Sequence, residues 1–240
     1  ATSHNIMVRA RSTDGSSSTQ SFLINVTDVN ESGISAISDN DAAADFVLEN
    51  VSVGTVVGVT AFADDADSTD TVSYSLDDDA GGLFTINSST GVVTVAGAID
   101  RETAANYNIT VRATSTDTST TTRVFAIAIG DVDEFDVSIP TDSDGTANAV
   151  DENVATGTTV GLTANAFDLD ATNNTITYSL TSNPDGLFQI DANTGVVTTA
   201  AAIDRETHGA VRSITVQAAS SDGSTGSQSF NITINDLNEF

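Results

Sequence analysis

Ile99-Asp100-Arg101-Glu102-Thr103-Ala104-Ala105-Asn106-Tyr107-Asn108-Ile109-Thr110-Val111-Arg112-Ala113-Thr114 carries both features from which the fold can be read. In its second half Ile109 and Val111 alternate with polar neighbours, the period of a strand with one face in a core. Its first half, Ile99 to Thr103, returns as Ile203-Asp204-Arg205-Glu206-Thr207, 104 residues further on. Working outward, Ser75-Leu76, Gly82-Leu83-Phe84 and Thr90-Gly91-Val92-Val93-Thr94 recur as Ser179-Leu180, Gly186-Leu187-Phe188 and Thr194-Gly195-Val196-Val197-Thr198. The acidic close Asp131-Val132-Asp133-Glu134-Phe135 comes back as Asp236-Leu237-Asn238-Glu239-Phe240, and an early copy stands at Asp28-Val29-Asn30-Glu31. A repeat this long marks a domain array. Asp14 and Asp28 each lie 208 residues before Asp222 and Asp236, so the first residues match only the last third of a repeat. The expected division is therefore 1–31, the last two strands of a preceding repeat, then whole repeats at 32–134 and 135–240.

Short alternating runs punctuated by Gly, Asn, Asp and Ser predict antiparallel strands. In the first whole repeat they fall near Phe46–Glu49, Val56–Phe62, Thr71–Leu76, Phe84–Ile86, Val92–Val95, Tyr107–Thr114 and Thr122–Ile129. The second repeat echoes all of them, from Ala149–Asp151 to Ser227–Ile234. Seven strands in about 100 residues is the size of an immunoglobulin-like sandwich. The expected fold class is all-β: tandem seven-stranded Greek-key sandwiches arranged end to end. Phe84, Ile86, Phe188 and Ile190 read as core, and Thr90-Gly91 and Thr194-Gly195 as hairpin turns. Ala98–Thr103 and Ala202–Thr207 each have room for a single helical turn.

Composition excludes whole classes of function. The chain has 240 residues, 34 acidic against 7 basic, a net charge of −27 and no cysteine or tryptophan. Such a charge repels phosphate backbones, so nucleic acid is not a partner. No apolar run reaches the roughly 18 residues of a membrane span. Disulfides, zinc ribbons and thiol catalysis all require cysteine.

The acids gather at strand ends. Leu48-Glu49-Asn50 matches Asp151-Glu152-Asn153, Asp65-Ala66-Asp67 matches Asp168-Leu169-Asp170, and the Asp-Arg-Glu triplets match each other. Asp14, Asp117 and Asp222 occupy the loop between the last two strands. In order and spacing these motifs resemble cadherin domains, in the divergent form found in long bacterial surface adhesins. The resemblance covers essentially the whole chain. It implies calcium bound at each junction, two or three ions held by upper repeat, linker and lower repeat. At the complete junction it assigns Glu49, Asp100 and Glu102 above, Asp131, Asp133 and Glu134 in the linker, and Asp168, Asp170 and Asp222 below. Asp28, Asn30 and Glu31 with Asp65, Asp67 and Asp117 form a partial site. Glu152, Asp204, Glu206, Asp236, Asn238 and Glu239 form half of another. Asp133 stands where the family has Asn, and Glu134 where it has Asp.

Elementary electrostatics points the same way. Calcium takes about 6–8 oxygen ligands, whereas two bare carboxylates 4 Å apart repel by roughly 1 kcal/mol in water and about 4 at an effective dielectric of 20. A junction lined with acids therefore calls for a cation, and an ion cluster there would turn hinged beads into a stiff rod. Two further pairs, Asp39 with Asp41 and Asp142 with Asp144, resemble the opening of a calcium loop and equally suit turns at a domain entrance. The leading expectation is a calcium-rigidified extender or adhesion module of a large secreted bacterial surface protein, whose partners are its own adjacent repeats. The alternative is a calcium-dependent module that grips a surface polysaccharide or another cadherin-like chain. An enzyme is not expected: the acids are accounted for, and no nucleophile–His–acid set or phosphate loop is present.

Overall fold

The alternating stretches do become strands. The structure, a computed structural model, describes residues 2–27, 29–67 and 69–238. Strands β1 (Thr2–Arg11) and β2 (Ser17–Val26) form a hairpin in unbroken register, from Thr2 opposite Val26 to Arg11 opposite Ser17. Its turn is closed by Asp14, which accepts the backbone N–H of Ser16.

Eight strands follow in the first whole repeat: β3 (Ser38–Asp39), β4 (Phe46–Leu48), β5 (Val56–Phe62), β6 (Val72–Asp78), β7 (Phe84–Ile86), β8 (Val92–Val95), β9 (Asn106–Ser115) and β10 (Thr120–Gly130). They make two four-stranded sheets, ordered β4-β10-β9-β6 and β3-β5-β8-β7. The second repeat follows the same plan with β11 (Thr141–Asp142), β12 (Ala149–Asp151), β13 (Thr159–Asn165), β14 (Ile176–Ser182), β15 (Phe188–Ile190), β16 (Val196–Thr199), β17 (Val211–Ser220) and β18 (Thr225–Asn235). Its sheets run β12-β18-β17-β14 and β11-β13-β16-β15, with β12 parallel to β18 and the other pairs antiparallel. The chain divides into two compact units. One takes the residues up to Ile99 together with Asn106–Ile129; the other takes Asp100–Ala105 and everything from Gly130 onward.

Each unit has its own core, and the period-two pattern says why. In β9, Ile109, Val111 and Ala113 are fully buried while their neighbours are not; in β17 the same holds for Ile214, Val216 and Ala218. Phe84 and Phe188 are buried as expected, whereas Ile86 and Ile190 are half-buried at the core margin. Gly91 and Gly195 end their turns with φ of +72° and +69°. At Gly91 a Cβ would lie 2.0 Å from the Ala61 carbonyl oxygen, so close approach of backbone as well as the turn demands glycine.

Two features differ from expectation. Each repeat gains an eighth strand of only two residues, β3 and β11, too short to show any periodicity. Of the two helical turns, one forms as a helix, α1 (Arg205–His208), with Asp204 as its N-cap. There two consecutive i to i+4 bonds close, from His208 and Gly209, while the first repeat closes one, from Ala104 to Asp100.

Candidate metal centres

In the second unit the loop after β13 carries Asp168 and Asp170, and its shape is set by hydrogen bonds to those same carboxylates. Asp168 Oδ1 accepts the N–H of Asp170, and Asp168 Oδ2 accepts the hydroxyl of Ser220 from the end of β17. Upstream, the Tyr178 hydroxyl accepts the N–H of Ala166 at 2.9 Å, pinning the backbone two residues before Asp168. Asp170 is 2 % exposed and accepts the backbone N–H groups of Glu134 (3.0 Å) and Phe135 (3.2 Å). Asp131 Oδ2 takes both the N–H and the hydroxyl of Thr172, and Glu102 Oε1 takes the N–H of Ala171. Asp222, in the turn between β17 and β18, is capped by Ser224.

These contacts bring the acids together. Asp133, Asp170 and Asp222 present oxygens within 4.8 Å of one another, and so do Glu102, Glu134 and Asp170. Asp170 belongs to both groups. Asp131 Oδ1 is buried with no hydrogen-bond partner among the described residues. Partial desolvation, then the charges of Asp222, Asp170 and Asp168, push the Asp133 carboxyl above the ordinary aspartate value of 3.8. An electrostatic cost like this marks a site that wants a positive charge.

A second acidic group sits at the other end of the same unit. Glu152, wholly buried just after β12, accepts the N–H of Arg205 with Oε2 and that of Leu237 with Oε1, both at 2.7 Å. These bonds hold its carboxyl below the usual range. Glu152, Asp204 and Glu206 then present oxygens within 4.8 Å. The Glu206 carboxyl is pulled down by its own backbone N–H but pushed up further by desolvation and by Glu152, Asp236 and Asp204. Arg205 approaches Asp236 at 3.7 Å, and Asn238 is exposed beyond it.

The first unit repeats the upper plan. Asp67 Oδ2 accepts the N–H groups of Glu31 and Ser32, as Asp170 does those of Glu134 and Phe135. Asp117 binds Asn30 Nδ2 at 2.8 Å and caps Ser119. Tyr74 pins Ala63 as Tyr178 pins Ala166. Asp65, Asp67 and Asp70 bring their oxygens within 4.8 Å. Glu49, just after β4, is buried in this unit, while Asp100 caps Thr103 as Asp204 caps Thr207.

Comparison with known proteins then gives the family. The model described as Cadherin domain matches residues 46–129 and again residues 147–235. The chain belongs to the cadherin family. Human Protocadherin Fat 4 is 35 % identical over 164 residues, 67 % of this chain and 3 % of that protein. Chicken Cadherin-7 is 32 % identical over 244 residues, 94 % of this chain and 30 % of that protein. The chain thus spans less than a third of these relatives. Among solved structures, mouse Cadherin-23 EC22-24 superimposes with a TM-score of 0.72 at 26 % identity, covering 97 % of this chain and 74 % of that one. The Protocadherin GammaB4 extracellular domain reaches 0.74 at 24 % identity, covering 99 % and 38 %, a likeness of fold. The tandem cadherin repeats foreseen in the sequence are therefore present, and the relatives named here are animal proteins.

The donor set of these cadherin repeats is oxygen throughout, which suits a hard cation such as calcium or magnesium and not zinc. The buried oxygens Asp131 Oδ1 and Asp65 Oδ2 fit that reading, since neither has a hydrogen-bond partner among the described residues. Asp28 and Glu239, also expected as ligands, lie outside the described residues. Asp39, Asp41, Asp142 and Asp144 behave as turn caps: Asp142 accepts the N–H groups of Asp144 and Thr163, Asp144 that of Thr146, and Asp39 those of Asp41 and Thr60. None of the four joins an acidic triad among the described residues. Sequence reasoning missed Asp70 and the two clamping tyrosines. The matched mid-strand positions of Tyr74 and Tyr178 in the two repeats were the available signal. No helix among the described residues is long and apolar enough to cross a membrane.

Proposed function

We propose that this chain is a calcium-binding segment of a long extracellular adhesion protein, in which cadherin repeats at 32–134 and 135–240 act as calcium-rigidified extenders. The residues up to 31 are read as the last hairpin of a preceding repeat. The observation that carries the proposal is the sharing of Asp170 by two acidic triads in the second unit, with a buried Asp131 oxygen left unpartnered beside Thr172. Asp131, Asp133, Glu134, Asp168, Asp170, Asp222 and Glu102, with Asp100 and Glu49, are the proposed ligands of the complete junction. Calcium supplies the positive charge that lets these carboxylates stay ionised and close. The remaining clusters, around Asp65 and Asp67 and around Glu152, are proposed as the corresponding parts of neighbouring junctions.

The setting is proposed to be a secreted surface protein of a bacterium. Support comes from composition: 34 acids, 7 bases and no cysteine suit a long chain exported unfolded and folded by calcium outside the cell. Extracellular calcium modules bind at about 10⁻⁴ to 10⁻³ M. The test is thermal unfolding and small-angle scattering of the whole chain in millimolar calcium and then in excess chelator. Calcium is expected to raise the melting temperature and extend the particle. Identical melting and identical maximum dimension in both would refute the reading.

A further inference from the structure

The outward face of one sheet in the first unit is apolar where its counterpart in the second unit is polar. In β10, Phe125, Ile127 and Ile129 enter the core, so Val124, Ala126 and Ala128 stand on the opposite face. In β4, Val47 is in the core, and Phe46 and Leu48 face outward. Phe46, Leu48 and Val124 are 45 %, 44 % and 59 % exposed. The Ala128 N–H donates to the Asp45 carbonyl, which sets β4 beside the end of β10 that carries Ala126 and Ala128. At the matching places the second unit has Ala149 and Asp151 on β12, and Ser229, Asn231 and Thr233 on β18. None of the five apolar side chains belongs to the core of the first unit, so core packing does not account for them.

The same face is without bare charge. β4, β10 and β9 are neighbours in the sheet and contain none of the chain's 34 acids. Their two charged residues are engaged. Arg112 donates to both carboxylate oxygens of Asp77 on β6, at 2.8 and 2.6 Å. Arg123 donates to the Ile37 carbonyl and lies 4.7 Å from the centre of the Phe125 ring. Exposed apolar residues grouped in this way mark contact surfaces, whose centres are poor in charge. The exposed apolar residues of the β1–β2 hairpin are a different case. Ile6, Val8 and Ile24 match Ile214, Val216 and Ile232, which are wholly buried, so theirs is the inward face of a sandwich.

We infer that the outward face of β4, β10 and β9 in the first unit is a self-association surface, which packs against the same face of a second copy of this chain. A net charge of −27 keeps two copies apart over most of their surface. Two-fold pairing sets each patch against itself, which an acid-free apolar face tolerates and an acidic one does not. A basic partner would be drawn to the acidic surfaces instead, so this face suits a partner as acidic as the chain itself. By strand length and spacing it offers roughly 500 Å² per copy. A pair then buries about 1,000 Å², the size of a weak, reversible contact. The inference stands apart from the calcium reading, since none of the proposed ligands lies on these three strands.

The test is sedimentation velocity of the whole chain from about 10 μM to about 1 mM, for wild type and for the double variant Leu48→Asp with Val124→Ser. Wild type is expected to show a reversible monomer–dimer equilibrium. Added salt should shift it toward dimer, because salt screens the repulsion between two acidic chains. The double variant carries the second repeat's own residues at two exposed positions and should weaken dimerisation about tenfold or more. Its melting temperature shows whether the fold is kept. Should it not be, Ala126→Asp, a single charge on the same exposed face, must weaken dimerisation likewise. Phe22→Ser, on the hairpin, should leave the equilibrium unchanged. Wild type that stays monomeric throughout, leaving the face to some other protein, overturns the inference. So does a dimer that these face variants do not weaken, or one that only Phe22→Ser abolishes.

Discussion

Asp170 accepts the backbone N–H of Glu134 at 3.0 Å, so a carboxylate proposed as a calcium ligand also holds in place the segment that supplies its companions. The first unit repeats this arrangement between Asp67 and Glu31. Each such aspartate has two tasks that mutagenesis can separate, because an amide keeps an acceptor oxygen but loses the charge.

Asp170→Asn should therefore behave differently in the two states. In chelator, the asparagine oxygen still accepts N–H bonds, and relief of repulsion with Asp133 and Asp222 offsets the weaker acceptor. Stability should change by less than about 1 kcal/mol. In millimolar calcium the variant should lose most of the stabilisation that the ion gives wild type, since both triads lose their shared member. Asp170→Ala removes the acceptor as well and should lose about 2 kcal/mol even in chelator. Denaturant unfolding with and without calcium reads all four numbers.

The metal-free chain should be more stable in mild acid than at neutrality. The Asp133 and Glu206 carboxyls are raised in the fold relative to ordinary values of 3.8 and 4.5. A raised carboxyl means the folded state binds the proton more tightly, so its cost is present above the folded value and is relieved as pH falls through it. Opposing this, Asp100, Asp117, Asp204 and Glu152 are lowered, chiefly by backbone or side-chain hydrogen bonds, and their stabilisation disappears only below the ordinary values. Melting temperature in chelator should rise as pH falls from 7, then drop once pH passes below 4.5 and 3.8. In calcium the first rise should vanish or invert, because protons then compete with the ion. A chelator curve that only falls from pH 7 would contradict this.

Much of this was legible in the chain, and the illegible parts share a cause. Strand alternation, the glycine turns and the acidic triplets are patterns of several residues, so β9 and β17 could be read from alternation, and the correspondence of Asp67 with Asp170 from the repeat. β3 and β11 are two residues each, below any period, and the backbone N–H groups that Asp39 and Asp142 accept come from strands some 20 residues away. Asp70 is one acid among several in an acidic stretch, and only the pairing of β6 with β9, which brings Thr116 to it, distinguishes it from its neighbours. The helix at Arg205–His208 depended on a single extra bond, ending at Gly209, where the first repeat has no glycine.

Tyr178→Phe and Tyr74→Phe should each cost about 1–2 kcal/mol, because removing the hydroxyl strands the buried N–H of Ala166 or Ala63 while the ring still fills the core. The effect on calcium should be local. Tyr178→Phe loosens the backbone before Asp168 and should weaken ions held by Asp168 and Asp170, and Tyr74→Phe those held by Asp65 and Asp67. Calorimetry on each variant checks this: equal weakening of every site by either variant would mean that the tyrosines act on global stability alone.

Glu152 offers the sharpest separation of structure from ligation. It is wholly buried, and its two oxygens each take one backbone N–H, from Arg205 at the start of α1 and from Leu237 beyond β18. A neutral glutamine cannot reproduce this, because one oxygen becomes an NH2 that faces a donor. Glu152→Gln should therefore lose about 2–3 kcal/mol in chelator, far more than Asp170→Asn. The reason is that charge-assisted bonds in a buried position outweigh the repulsion from Asp204 and Glu206 that the substitution relieves. If the repulsion dominated instead, Glu152→Gln would be neutral or stabilising without calcium. Unfolding of the two variants side by side in chelator decides between these orders.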